Sequence, residues 1–342
     1  QKYGAVLWSG DIAASWEGLT KQVVEGLHMG ISGIPYWTLD IGAFFVGSQR
    51  AWQRWSGVEE GTRPWFWDGL FEGGVSDMGY RELYVRWLQL GTFLPVMRSH
   101  GTDTPREPWQ FGEKSTKYYD TIVKYIKLRY RLLPYIYSLA HGVTRENETI
   151  MRHLMFDFED DPQVRMIGDQ FMFGESFLVC PVLTPMEYGP DNQKLDNPRI
   201  RKLYLPAESA WYDFETGECI PGGQYVTVDA HIEKLPLFVK AGAVIPMADG
   251  YDGTLRSVHV YEGQNGAFRY YTDDGTEDAD VHGAYTSFML RWDDGQSLLA
   301  ISAAEGKMQW PGCLDIILHR MDGRTVVSSI AYEGKSMEIP IA

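Results

Sequence analysis

Leu19, Val23 and Leu27 recur at four-residue spacing, the apolar stripe of an amphipathic helix. Gly30, just after His28 and Met29, offers a C-terminal stop for it. Apolar runs of another kind flank this helix. Ala5-Val6-Leu7-Trp8 leads into Ser9-Gly10-Asp11, and Ile31 to Leu39 leads into Asp40. A third run, Phe93-Leu94-Pro95-Val96-Met97, leads into Arg98 and His100. These runs predict buried strands separated by helical sequence, each ending in polar groups. Tyr80 to Leu90 predicts the helix before the third strand. Tyr119, Ile122, Val123, Ile126, Tyr130, Leu133 and Tyr137 predict one face of a long helix, which Pro134 should kink or break. Residues 47–79 form a long irregular stretch carrying Trp52, Trp55, Trp65, Trp67 and several glycines. Structureless stretches of that length in compact domains are usually functional.

After about residue 150 the pattern shortens. Phe177 to Cys180, Tyr225 to Val228 and Leu237 to Val239 read as strands. Gly222-Gly223, Asp252-Gly253, Asp274-Gly275, Asp294-Gly295 and Asp322-Gly323 supply turns between such runs. Regular strands with Gly/Asp turns predict one or two β-sandwiches. Three strand–helix units cannot close an eight-stranded barrel, so residues 1–150 read as the C-terminal part of one, or as a smaller open α/β layer. Strand C-termini in a parallel barrel open on one face. Asp11, Asp40, Arg98 and His100 are therefore expected to converge.

Composition narrows the chemistry. A net charge of −15 over 342 residues argues against nucleic acid or an anionic membrane as partner. Hydrophobic content of 44% is ample for packed cores. The 12 Trp and 20 Tyr fit stacking on the apolar face of sugar rings, and equally fit large β-rich cores. Cys180, Cys219 and Cys313 suggest neither a disulfide framework nor a zinc site. No apolar stretch reaches the length of a spanning helix. The chain opens at Gln1 directly before a strand, so it is expected to start partway through a larger protein. Asp273-Asp274-Gly275 with Glu277, Asp278 and Asp280 has the look of a calcium loop but lacks EF-hand spacing, and is expected to be a structural turn.

WSGD (8–11), GISGIPYWTLDIGAF (30–44), LPVMRSHG (94–101) and REPW (106–109) together resemble glycoside hydrolase family 31, the retaining α-glycosidases that include α-glucosidases and α-xylosidases. DQFMFGESFLVCPVL (169–183), WYDFETGE (211–218), LPLFVKAGAVIPM (235–247) and YYTDDGTE (270–277) continue the resemblance in the family's order. It implies an α/β plus all-β chain: strands six to eight of a (β/α)8 TIM barrel over residues 1–150, a proximal β-sandwich over 151–245 and a distal one over 246–342.

The resemblance also implies that Asp11 is the general acid/base. Trp8, Asp40, Phe44, Arg98 and His100 would line the subsite of the sugar being cleaved. Asp40 and His100 would bond its hydroxyls, and Arg98 would orient the carboxylates. Against these stand plainer roles: a helix N-cap for Asp11, a turn former for Asp40, a loop histidine for His100, and a purely structural ion pair for Arg98. The 47–79 stretch is either a lid forming further sugar subsites or packing between domains. No cofactor or metal is implied, and the eight His residues show no HxH or HExxH pattern. The implied partners are an α-linked oligosaccharide and the N-terminal half of the same protein.

Three departures from the family stand out. The family's aspartate nucleophile lies in a W-x-D motif on the fourth barrel strand, and no such motif is expected in this chain. The arginine that shortly precedes the acid/base motif is missing. The usual D-I-G-G-F reads Asp40-Ile41-Gly42-Ala43-Phe44, adding a methyl group. The expectation is a chain that holds the acid/base without the nucleophile and cannot turn over alone. Its open barrel would expose apolar core surface. A non-catalytic carbohydrate-binding or interaction fragment is the alternative.

Overall fold

The computed structural model describes residues 4–58, 64, 66–276, 278–308 and 312–341. Trp65 and Glu277, named above, lie outside them. Strand β1 (Leu7–Trp8) and strand β2 (Trp37–Thr38) run parallel, Leu7 facing Trp37 and Trp8 facing Thr38. Helix α1 (Trp16–Ile31) crosses between them. Its start is set by Ser15, whose hydroxyl oxygen accepts the Gly18 N–H at 2.9 Å. Leu19, Val23 and Leu27 are buried, as their spacing predicts. The helix does not stop at Gly30. It runs to Ile31, and Gly33 at φ +75° supplies the left-handed turn residue. Gly30 is small for another reason: a Cβ there would lie 2.7 Å from the Met151 carbonyl oxygen.

β1 departs from its predicted burial. Val6, Leu7 and Trp8 are 48%, 41% and 51% exposed. Their strand pairs with β2, and the face these side chains present is not covered by the described chain. The third apolar run forms no extended strand either. It makes one parallel bridge, Ser99 to Ile41, and Ile41 N–H donates to Arg98 O at 3.1 Å. Pro95 has no N–H to give a ladder. The carbonyls of Thr92, Leu94 and Pro95 instead accept from the Arg129 guanidinium at 2.9, 2.6 and 2.9 Å.

The 47–79 stretch is partly regular, containing α2 (Gln49–Ser56). Helix α3 (Met78–Gly91) follows, capped by Asp77. The long predicted helix is two, α4 (Lys117–Arg131) and α5 (Leu133–Glu146). Pro134 sits in the first turn of α5, where its missing N–H costs nothing. The buried face is not the predicted one. Tyr118, Ile122, Tyr125 and Leu128 point inward, while Tyr130 and Tyr137 are exposed. Tyrosine misleads here because its ring is apolar and its tip is not: Tyr137 donates its hydroxyl to Asp273 at 2.6 Å.

The remainder is β-rich. Strands β3 (Met151–Arg152), β4 (Phe171–Phe173), β5 (Phe177–Val179), β6 (Ile200–Leu205), β7 (Ala210–Asp213), β8 (Cys219–Pro221), β9 (Gln224–Asp229) and β10 (Leu237–Lys240) come first. They form a six-stranded sheet, ordered β3-β4-β5-β10-β7-β8, and a β6-β9 ribbon. Strands β11 (Val244–Ala248), β12 (Leu255–Tyr261), β13 (Gly266–Asp273), β14 (Tyr285–Asp293), β15 (Leu298–Ile301), β16 (Cys313–His319), β17 (Thr325–Ala331) and β18 (Met337–Pro340) follow. They make two four-stranded sheets, β11-β12-β16-β17 and β13-β14-β15-β18, which share one buried cluster around Val258, Leu290, Trp292 and Ile316. A larger core runs from Leu19 and Trp37 through Tyr84 and Tyr135 to Phe173 and Val239, so the helical half and the six-stranded sheet pack together. No helix among the described residues is long and apolar enough to cross a membrane.

Candidate active site

Asp40 lies two residues past β2 and is fully buried. Its Oδ1 accepts a charge-assisted hydrogen bond from Arg98. Its Oδ2 is buried and has no hydrogen-bond partner among the described residues, and the same holds for Arg98 Nε. Burial pushes the Asp40 carboxyl above the usual carboxylate range. The charges of Arg98 and His100 pull it back, the Asp11 carboxylate pushes it further up, and Arg106 opposes. Asp11, Arg98 and His100, far apart in the chain, therefore all act on Asp40 at the ends of the three apolar runs. Phe44 joins them, its ring centroid 5.5 Å from that of His100. Trp8, half exposed on β1, is brought toward this end by the strand that leads into Asp11.

The plainer roles fare differently. Asp11 is not the helix cap, because Ser15 occupies that position. Asp40 does open a turn, its carbonyl accepting the Ala43 N–H at 2.8 Å, yet this leaves the side chain to face Arg98. Arg98 is paired with Asp40 while its side chain stays 38% exposed, so it is not sealed into a core.

The segment after Asp40 is held by residues to which the sequence assigns no role. Gly42 at φ +87° lies against Tyr84, and a Cβ there would sit 2.5 Å from that ring. Ala43, where the family pattern has glycine, is buried at φ +64°. A left-handed alanine costs about 1–2 kcal/mol. Tyr80 donates its hydroxyl to Gly42 O at 3.0 Å, and Arg106 donates to Ala43 O at 2.6 Å. Asp103 accepts from Val46 N–H at 3.0 Å and Gly47 N–H at 2.7 Å, and Glu72 accepts from Ser48 N–H at 2.9 Å. The available signal was local: Asp103 and Arg106 follow His100 within one short polar run.

Trp52, Trp55 and Trp67 of the 47–79 stretch pack together beside Phe45. Phe45 lies 4.2 Å from Trp67, and Trp67 lies 5.1 Å from Trp52 and 5.4 Å from Trp55. Of the buried members of this cluster, Ala51 and Trp67 come from this stretch and Phe45 from just before it. Carboxylates of the acidic turn are bonded to protein groups, near and distant. Asp273 accepts from Gly275 N–H at 2.9 Å, Asp274 accepts from Thr276 N–H at 3.0 Å, and Asp280 pairs with Arg145. Among the described residues no group of three His, Cys, Asp or Glu is placed to hold a metal ion. W-x-D spacing, expected to be absent, does occur in the β-rich part, at Trp211–Asp213 and Trp292–Asp294. Both aspartates serve turns, Asp213 accepting from Glu215 N–H and Asp294 from Gly263 N–H.

Parallel strands joined by a helix, with polar residues gathered at their ends and a β-rich region attached, define a two-part architecture, α/β then β-rich. Residues 1–139 match the glycosyl hydrolases family 31 TIM-barrel domain, and residues 147–245 match the glycosyl hydrolase family 31 C-terminal domain. The chain belongs to glycoside hydrolase family 31. It is 37% identical to an alpha-xylosidase of Saccharolobus solfataricus over 316 residues, covering 90% of this chain and 38% of that protein. It is 30% identical to alpha-glucosidase 2 of Bacillus thermoamyloliquefaciens, covering 96% of this chain and 37% of that protein. The crystal structure of a GH31 alpha-xylosidase from Xanthomonas citri superposes with a TM-score of 0.80 at 34% identity, covering 98% of this chain and 35% of that one. The chain thus spans little more than a third of the length of these relatives.

Proposed function

We propose that this chain supplies the acid/base side of a retaining, exo-acting α-glycosidase that removes terminal α-linked xylosyl or glucosyl residues from oligosaccharides. In this reading residues 1–150 are strands six to eight of the barrel, and residues 151–245 and 246–342 are its two C-terminal β-sandwiches. The nucleophile comes from chain outside these residues. Greater identity to the alpha-xylosidase than to the alpha-glucosidase favours α-xylosides.

The observation that carries the reading is the unpartnered Asp40 Oδ2 beside Asp11 and His100. A buried acceptor without a partner is costly, and a sugar hydroxyl would satisfy it. Arg98, occupying Oδ1, keeps the carboxylate a pure acceptor. His100 takes a neighbouring hydroxyl, and the apolar ring faces of Phe44 and Trp8 meet the sugar's C–H face. Asp11, exposed at the end of its run, protonates the departing glycosidic oxygen. It then removes a proton from the water that releases the covalent intermediate. Retention requires the second carboxylate roughly 5–5.5 Å from Asp11.

The test is Asp11→Asn in the full-length protein, with aryl α-xyloside and aryl α-glucoside as substrates. Hydrolysis should fall about 10²–10⁴-fold, while binding of xylose or glucose persists. Hydrolysis at the wild-type rate would remove Asp11 from the mechanism. Sugar binding by a wild-type protein that hydrolyses neither substrate would support the non-catalytic alternative.

A further inference from the structure

Helix α3 grips two parts of the molecule at once. At about 3.6 residues per turn, Tyr80, Tyr84 and Gly91 share one face, and Glu82, Arg86 and Gln89 share the opposite one. The first face holds the candidate site. Tyr80 donates to Gly42 O at 3.0 Å. The Tyr84 hydroxyl lies 3.0 Å from Ser99 Oγ and donates to Arg106 O at 3.0 Å. Gly91 lets Ile41 lie against the helix, where a Cβ would come within 2.3 Å of it. Ile41 and Gly42 directly follow Asp40, and Ser99 separates Arg98 from His100.

The second face holds loops of the C-terminal region. Glu82 accepts the N–H groups of Met186, Glu187 and Tyr188 at 2.7, 2.9 and 2.8 Å. Arg86 donates to Lys234 O at 2.8 Å, to Gln89 Oε1 at 3.0 Å and to Ala230 O. Gln89 donates to Ile232 O at 2.7 Å. All three side chains are buried. Apolar packing alone tolerates small slides of a helix. A buried charge bonded to fixed backbone groups does not, because its directional bonds weaken steeply with displacement.

We propose that Glu82 and Arg86 are positioning residues for the candidate active site: by fastening α3 to the loops at 186–188 and 230–234, they set where Tyr80 and Tyr84 hold Gly42 and Ser99, and hence where Asp40, Arg98 and His100 meet the sugar. This rests on the glycosidase reading above. It makes the C-terminal region part of how the site is shaped.

The experiment is a double-mutant cycle in the full-length protein with Arg86→Met, Tyr84→Phe and both together, read as kcat and KM on an aryl α-xyloside. Asp11→Asn runs alongside. All measurements are made below each variant's unfolding transition. Arg86→Met should lower kcat/KM about 10- to 100-fold, the scale expected for a misplacement near 1 Å. Because Arg86 acts through Tyr84 and its helix, the double variant should be little worse than the poorer single one. If Arg86→Met does not fold, Glu82→Gln, which keeps one acceptor oxygen for the loop, must show the same coupling with Tyr84→Phe. A lowered Tm with wild-type kcat and KM, or losses that simply multiply, would overturn the proposal alone. A wild-type protein that neither hydrolyses nor binds sugar would overturn the functional reading with it.

Discussion

Arg98→Leu removes the counter-charge of a fully buried carboxylate. Asp40 Oδ1 loses its partner, and Oδ2 has none to begin with. The stranded group can escape by binding a proton, so the cost has a ceiling. The ceiling is the free energy of neutralising an acid whose ordinary pKa is 3.8. It amounts to about 4 kcal/mol at pH 7 and about 1.6 kcal/mol at pH 5. The Arg98 side chain is 38% exposed, so water already screens the pair and the loss falls below the ceiling, about 2–3 kcal/mol at pH 7. The sign follows from linkage. Burial raises the folded-state pKa of Asp40, and losing Arg98 raises it further. Above pH 3.8 the folded variant therefore holds a proton that the unfolded chain has released, and its stability falls as pH rises until the folded-state pKa is passed. Thermal unfolding of wild type and Arg98→Leu at pH 5, 6 and 7 reads this directly. The gap in Tm should widen with pH. A gap that is equal at pH 5 and 7, or larger at pH 5, would refute the reasoning.

Two further predictions concern stability. His259 Nδ1 and His319 Nε2 lie 3.0 Å apart, and burial drops their pKa values to about 3 and about 4, with Arg131 adding to the effect on His259. The unfolded chain protonates first, so Tm should fall as pH drops from about 6.5 toward 4, and His319→Gln should make that fall shallower; an unchanged slope counts against the pair. Gly42→Ala should cost more than about 2 kcal/mol, since strain at φ +87° adds to a clash with Tyr84. Ala43→Gly should stay within about 1 kcal/mol of wild type, because relief of left-handed strain offsets the added backbone freedom. Chemical-denaturation midpoints of the two variants decide it, and equal losses would contradict the reading of the turn.

Asp11, Asp40, Arg98 and His100 were legible because each follows an apolar run that a parallel strand pattern explains. The structure brings Asp11, Arg98 and His100 within electrostatic reach of Asp40. What eluded the sequence has physical causes. Val6, Leu7 and Trp8 look the same in sequence whether another element covers them or not, and here they are exposed. The third run reads as a strand, but its carbonyls are taken by a side chain more than thirty residues away. Asp103, Glu72 and Arg106 bond main-chain groups of an aperiodic loop, and no spacing rule marks such partners. Gly30 and Gly33 both look like helix stops, and only a contact with Met151, distant in sequence, tells them apart.

The three carbonyls gathered by Arg129 bear on the order in which the site forms. An antiparallel ladder closes locally, one bond after the next. This clasp joins residues 37, 35 and 34 positions apart, so these three carbonyls gain it only when α4 has docked. The segment that carries Arg98 and His100 is thereby fastened by a side chain of a later helix rather than by a strand ladder alone. The Ile41 amide, bonded to Arg98 O at 3.1 Å, reports on that event. In an Arg129→Met protein it should exchange with solvent through local opening, while amides in the body of α3 keep their protection.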